Sequence, residues 1–169
     1  LMSYTKQLAA FRIETSKLYD TTKMLADVSA GLGVDMSRLI LAYGQVKAAS
    51  VLRGQEIRQF TEAGIPLIQE LSQKFSELEG RVVSTSEVFE KVSKREVPFE
   101  MVDEIFKKMT ESGGVFYNMQ EIQAETLKGK ISNLTDSYQI MLNKLGEEQD
   151  GALKGAINSM TFLMNNYET

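Results

Sequence analysis

The chain contains no cysteine, no histidine and no tryptophan. Without cysteine there are no disulfides and no thiol nucleophiles, and structural zinc sites are nearly ruled out. Without histidine, the commonest general base and the commonest transition-metal ligand are missing. No enzyme, cofactor or bound metal is therefore expected. Only two prolines occur, which excludes a proline-rich linker. Long hydrophobic runs are also missing. The stretch 155–167 is uncharged but short, and it carries Asn158, Ser159, Asn165 and Asn166; a bilayer crossing needs about 20 mostly apolar residues. Tyr4, Lys6 and Gln7 interrupt any early apolar core, so no signal peptide is expected. The net charge is -4, with 19 Lys and Arg interleaved among 23 Asp and Glu. That pattern describes solvated helix faces and offers no basic patch for a phosphate backbone. The chain opens at Leu1 rather than at an initiator Met, and the pattern runs to Thr169 without a stop signal. A segment cut from a longer polypeptide is expected.

What is present is helical periodicity. Hydrophobic residues make up 43% of 169 residues, enough for a core. Leu18, Leu25, Val28 and Leu32 lie on one stripe. Met36, Leu39, Ile40 and Tyr43 follow, with Asp35 as N-cap. Pro66 suits the first position of a helix carrying Leu67, Ile68, Leu71, Phe75 and Leu78, which Gly80 closes. Ser84 and Glu87 form a capping box ahead of Val88, Phe89 and Val92. Pro98 opens a helix with Met101, Val102, Ile105, Phe106 and Met109, stopped by Gly113-Gly114. Glu70 with Lys74, Glu87 with Lys91, Glu90 with Lys94, and Glu104 with Lys108 are spaced for ion pairs within helices. Arg81-Val82-Val83 is the best strand candidate and is too short to build a sheet.

The C-terminal part has a different rhythm. Leu127, Ile131, Leu134, Tyr138, Met141 and Leu145 form a heptad seam, which Leu153, Ile157, Met160, Met164 and Tyr167 resume after a phase slip. Gly146 and Gly151 flank Glu147-Glu148-Gln149-Asp150 at that slip. The expected fold is all-α: a compact multi-helix body of short helices over 1–114, then two long helices over 115–169, as a hairpin or one kinked rod. The first seam is expected to bury its apolar face against the body or against the second helix. Self-association remains an alternative.

Three motifs fail as sites. The run from Ala124 to Ser132 resembles a phosphate loop around Gly129-Lys130, but Ala124 replaces the first glycine and Ile131 the hydroxyl residue, inside a helical pattern. Glu121 and Glu125 stand one turn apart without the histidines of a di-iron bundle, so a solvated face is expected. Met101, Met109, Met141, Met160 and Met164 sit on apolar stripes and read as core filling.

One stretch is more specific. Tyr43-Gly44-Gln45 leads into Leu52-Arg53-Gly54-Gln55-Glu56-Ile57-Arg58-Gln59-Phe60 and then Ala63-Gly64-Ile65-Pro66. It resembles the signature of phage tail tape-measure domains. Three further elements resemble the same family in the same order: Leu25 to Gly33, Val97-Pro98-Phe99-Glu100, and Gln123 to Leu134. The stretch from Gln73 to Arg81 looks like an insertion against that pattern. The resemblance implies a structural part of the virion tail lumen, made in the host cytoplasm or encoded in a prophage. Such a part helps to set tail length and to nucleate the tube. It implies tail-tube subunits, tail assembly chaperones and tail-tip proteins as partners. Gly31, Gly33, Gly64, Pro66, Gly80, Pro98 and Gly113-Gly114 would break a continuous rod, so the segment is expected to be a folded module carried by the ruler. A cellular helical adaptor, suggested by the two seams, is the competing reading. Gly54, Gly64 and Pro66 are expected to build the fold. Arg53, Gln55, Glu56, Arg58 and Gln59 are the expected partner contacts, with Arg53, Glu56 and Gln59 sharing an exposed polar face.

Overall fold

The computed structural model describes residues 2–145 together with 158, 159 and 162. Among them are eight α-helices and no strand. They are α1 (Met2–Ala10), α2 (Leu18–Leu32), α3 (Met36–Ala49), α4 (Gly54–Glu62), α5 (Leu67–Glu79), α6 (Thr85–Ser93), α7 (Phe99–Thr110) and α8 (Met119–Leu145). The all-α expectation is met. The chain divides into two compact units, Leu1–Gln120 and Glu121–Thr169, and the division falls inside α8.

The helix ends follow the local chemistry. Asp35 caps α3 by accepting from the backbone N–H groups of Ser37 (2.8 Å) and Arg38 (3.3 Å). At α6 the Ser84 hydroxyl accepts from the Glu87 N–H while the Glu87 carboxylate accepts from the Ser84 N–H. Pro66 and Pro98 each stand one place earlier than expected, at the N-cap, with helix beginning at Leu67 and Phe99. At the end of α4 the Ile65 N–H reaches the Phe60 carbonyl and the Gly64 N–H reaches the Thr61 carbonyl. This is a Schellman closure, and it needs Gly64 at φ +88°.

In the first unit α2, α3 and α7 pack together, and α4, α5 and α6 follow in sequence order, with α5 also against α7. Tyr43, Phe60, Phe99 and Phe106 meet edge to face at its centre, with ring centroids 5.2 to 5.6 Å apart. Each such contact adds about 1 kcal/mol to the burial of the rings. The expected stripes are inside, except that Leu78 and Phe89 stand exposed. The four ion pairs expected within helices are not the ones formed. Lys74 pairs with Glu104 (2.9 Å) and Lys108 with Glu70 (3.4 Å), both across α5 and α7. Glu87 pairs with Arg81, and Lys91 with Glu79. Partners on the neighbouring helix or turn take these side chains instead of the partner one turn away.

In the second unit α8 is one uninterrupted helix through the first seam. The expected burial is not found at the described seam positions Leu127, Leu134 and Met141, which are 41%, 54% and 42% exposed, while Ile131 is half-buried. Met141 therefore fills no core, whereas Met109 does. Glu121 and Glu125 lie on a solvated face, as expected. The second seam, Leu153 to Tyr167, with Met160 and Met164, and the phase slip before it lie outside the described residues.

Candidate partner-contact site

The signature stretch folds as a junction between helices. α3 ends at Ser50, whose φ is +61°. The chain then runs antiparallel to Val97-Pro98-Phe99 in a single β-bridge between Val51 and Pro98. Leu52 N–H donates to the Val97 carbonyl (2.9 Å) and Phe99 N–H to the Ser50 carbonyl (3.0 Å). Two of the elements that carried the resemblance are thus neighbours in space. Leu52 and Val97 are fully buried beneath the bridge. Gly44 has its own reason: a Cβ there would lie 2.1 Å from the Phe11 ring, so only a bare backbone lets that ring close on α3. Gly54 faces open space, so its role is not to avoid a clash.

α4 then presents five polar candidates on two sides. Arg53, Gln55 and Arg58 are exposed, and Gln59 is half-buried. Glu56 departs from the expected exposed face, because its residual exposure is only 4%. It precedes Ile57 and lies one turn before Phe60, both buried, so the rotation of α4 that buries those residues carries Glu56 inward with them. Its Oε2 is buried without a protein hydrogen-bond partner, as is Oε1 of Gln45. Arg53 and Arg58 form no ion pair among the described residues, in contrast to Arg81, which bridges Glu79 and Glu87.

A second feature lies beside α3. A cleft of about 470 Å³ is lined by residues that include Met24, Asp27, Tyr43, Lys47, Asp103 and Lys107. The Tyr43 hydroxyl donates to Asp103 Oδ1 (2.5 Å) and Lys107 donates to Asp103 Oδ2 (2.7 Å). Burial, reinforced by Asp103, pushes the Tyr43 hydroxyl pKa well above its ordinary value. The hydrogen bond to Asp103 raises Lys107 as well. Both shifts move away from neutrality, so at neutral pH Tyr43 stays a donor and Lys107 a cation. Lys47 lies 4.6 Å from the Phe99 ring centre. Sequence reading missed this cleft. Its one signal was Asp27, a carboxylate set within the apolar run Leu25 to Val28.

Among the described residues no group of three or more acidic side chains is placed to hold a metal ion. No helix there is long and apolar enough to cross a membrane. Searches of curated proteins and of solved structures return no match. The sequence model of the family described as tape measure protein matches residues 1–147, which include the α3–α4 junction, the bridge to Val97-Pro98-Phe99 and the helices packed on them. On that match the chain belongs to the tape measure protein family, structural proteins of the phage tail.

Proposed function

We propose that this segment helps to set tail length and to nucleate the tail tube, as a folded module within the ruler. The observation that carries this reading is α8, a 27-residue helix without interruption. At a rise of about 1.5 Å per residue it spans roughly 40 Å, so residue number converts directly into distance. The first unit is a capped and close-packed body, suited to present a surface to other tail components.

That surface is the outer side of α4. Arg53, Gln55, Arg58 and Gln59 contact a tail-assembly partner there, a tube subunit, an assembly chaperone or a tip protein. Two arginines at the start and middle of α4, without ion pairs among the described residues, favour it, because guanidinium groups anchor interfaces through several directed donors. Glu56 stays with the scaffold. The test is the combined replacement of Arg53, Gln55 and Arg58 by Ala in an assembling phage, with tail length measured by electron microscopy. Tails that are absent or irregular in length, from a module that still folds, support the reading. Tails of normal length and number overturn it.

A further inference from the structure

Lys23, Asp27 and Gly31 recur every four residues along α2, forming one stripe about 12 Å long. Each takes a different part of the root of α8. Asp27 is 1% exposed, and its Oδ1 accepts the backbone N–H of Gln120 (3.0 Å). Its Oδ2 pairs with Lys23 (3.3 Å). Lys23 also donates to Oδ1 of Asn118 (3.0 Å), the residue just before the helix, held at φ +50°. At Gly31 a Cβ would lie 2.6 Å from the Phe116 ring and 3.2 Å from Met119, so both side chains rest on bare backbone. The first turn of α8 thus draws a carboxylate cap from a residue 93 positions earlier. A carboxylate in that place satisfies an orphan N–H and opposes the positive end of the helix dipole.

We propose that this stripe is a latch that sets where α8 begins and that opens without unfolding the core. Lys23 and Asp27 both line the cleft beside α3. Solvent reaches Lys23, whose side chain is 34% exposed, and once that pair parts the carboxylate can trade the Gln120 N–H for water while α2 keeps its own backbone bonds. When it is closed, the helix starts at Met119. When it is open, Asn118 to Gln120 lose their fixed partners and the first turn frays. The latch does not depend on what the α4 face contacts.

Amide hydrogen exchange on the whole chain reads it directly. In the native protein Gln120 is expected to exchange slowly, although it lies in a first turn, because Asp27 holds its N–H. Asp27→Leu, similar in size, speeds exchange at Gln120, Gln123 and Ala124 by about tenfold or more. The amides of Tyr43 and Phe106 stay as they were. Asp27→Asn keeps an acceptor in place and holds Gln120 within about threefold of native. Unchanged exchange at Gln120 in the Leu variant overturns the latch. So does an equal rise at Tyr43 and Phe106, or an Asn variant as loose as the Leu one. Should Asp27→Leu not fold, Lys23→Met, at a side chain 34% exposed, takes its place. It speeds exchange at Gln120 and leaves Tyr43 and Phe106 as they were, and native exchange at Gln120 overturns the proposal.

Discussion

Single residues carry strain or unmet hydrogen bonds that substitution can relieve. Arg95 sits at φ +60° in the closure of α6, with its N–H on the Val92 carbonyl and the Glu96 N–H on the Lys91 carbonyl. That place favours glycine, and Arg95 is exposed with no ion pair among the described residues to lose. Arg95→Gly is expected to stabilise the protein by about 1 kcal/mol, seen as a rise in Tm of a few degrees. Glu56 buries an acceptor without a partner, which costs about 1 to 3 kcal/mol. Glu56→Met is expected to raise the denaturation midpoint; a fall would mean that the carboxylate has a stabilising role that its burial does not reveal. Gly44→Ala drives a Cβ into Phe11 and should destabilise by about 1 to 3 kcal/mol, with Phe11→Leu in the same chain recovering part of the loss. At this scale the sequence was legible where a residue type has one local use, as at Gly64, Gly80 and the Ser84–Glu87 box. It was not legible at Glu56, because spacing assigns a face of a helix, while the rotation of α4 against its neighbours decides which face is wet.

At the scale of elements, caps and stripes were readable because both act within a few residues. The α5–α7 ion pairs were not, since they depend on which helices become neighbours. The capping box makes a testable claim. The Ser84 N–H, and then the Arg81 guanidinium, hold the Glu87 carboxyl down to about 2 from its ordinary 4.5. A lowered carboxylate pKa means that its contribution is complete above the ordinary range and disappears as pH falls from about 4.5 towards 2. Glu87→Gln should therefore flatten the acid response of α6 protection in that window, as followed by hydrogen exchange. Ser84→Ala should cost about 1 kcal/mol at neutral pH in a chemical melt. The heptad seam shows the limit of periodicity. Leu127 and Leu134 recur at the spacing of a packed stripe, yet stand exposed along α8. A pattern of apolar residues states which side of a helix prefers cover and leaves open what provides it.

For the whole molecule, the first unit contains the aromatic centre, the bridge and the α8 root within its own residues. A chain ending at residue 124 is expected to unfold in one cooperative step, with near-ultraviolet dichroism and far-ultraviolet dichroism changing together. A gradual loss would show that the unit borrows stability from beyond Gln120. The Val51–Pro98 bridge has a further consequence, for how such a chain tolerates change in length. The polypeptide leaves the bridge at Leu52 and returns to it at Val97, so α4, α5 and α6 form a detour whose two ends are joined. Between α5 and α6 it turns at an exposed bend, where Val82 is 87% exposed. Residues added there lengthen the detour without shifting the backbone register of α2, α3 or α7. The stretch from Gln73 to Arg81, which looked like an insertion in the sequence, reaches this exposed bend. Growth at that bend changes the outline of the protein and leaves its skeleton in place.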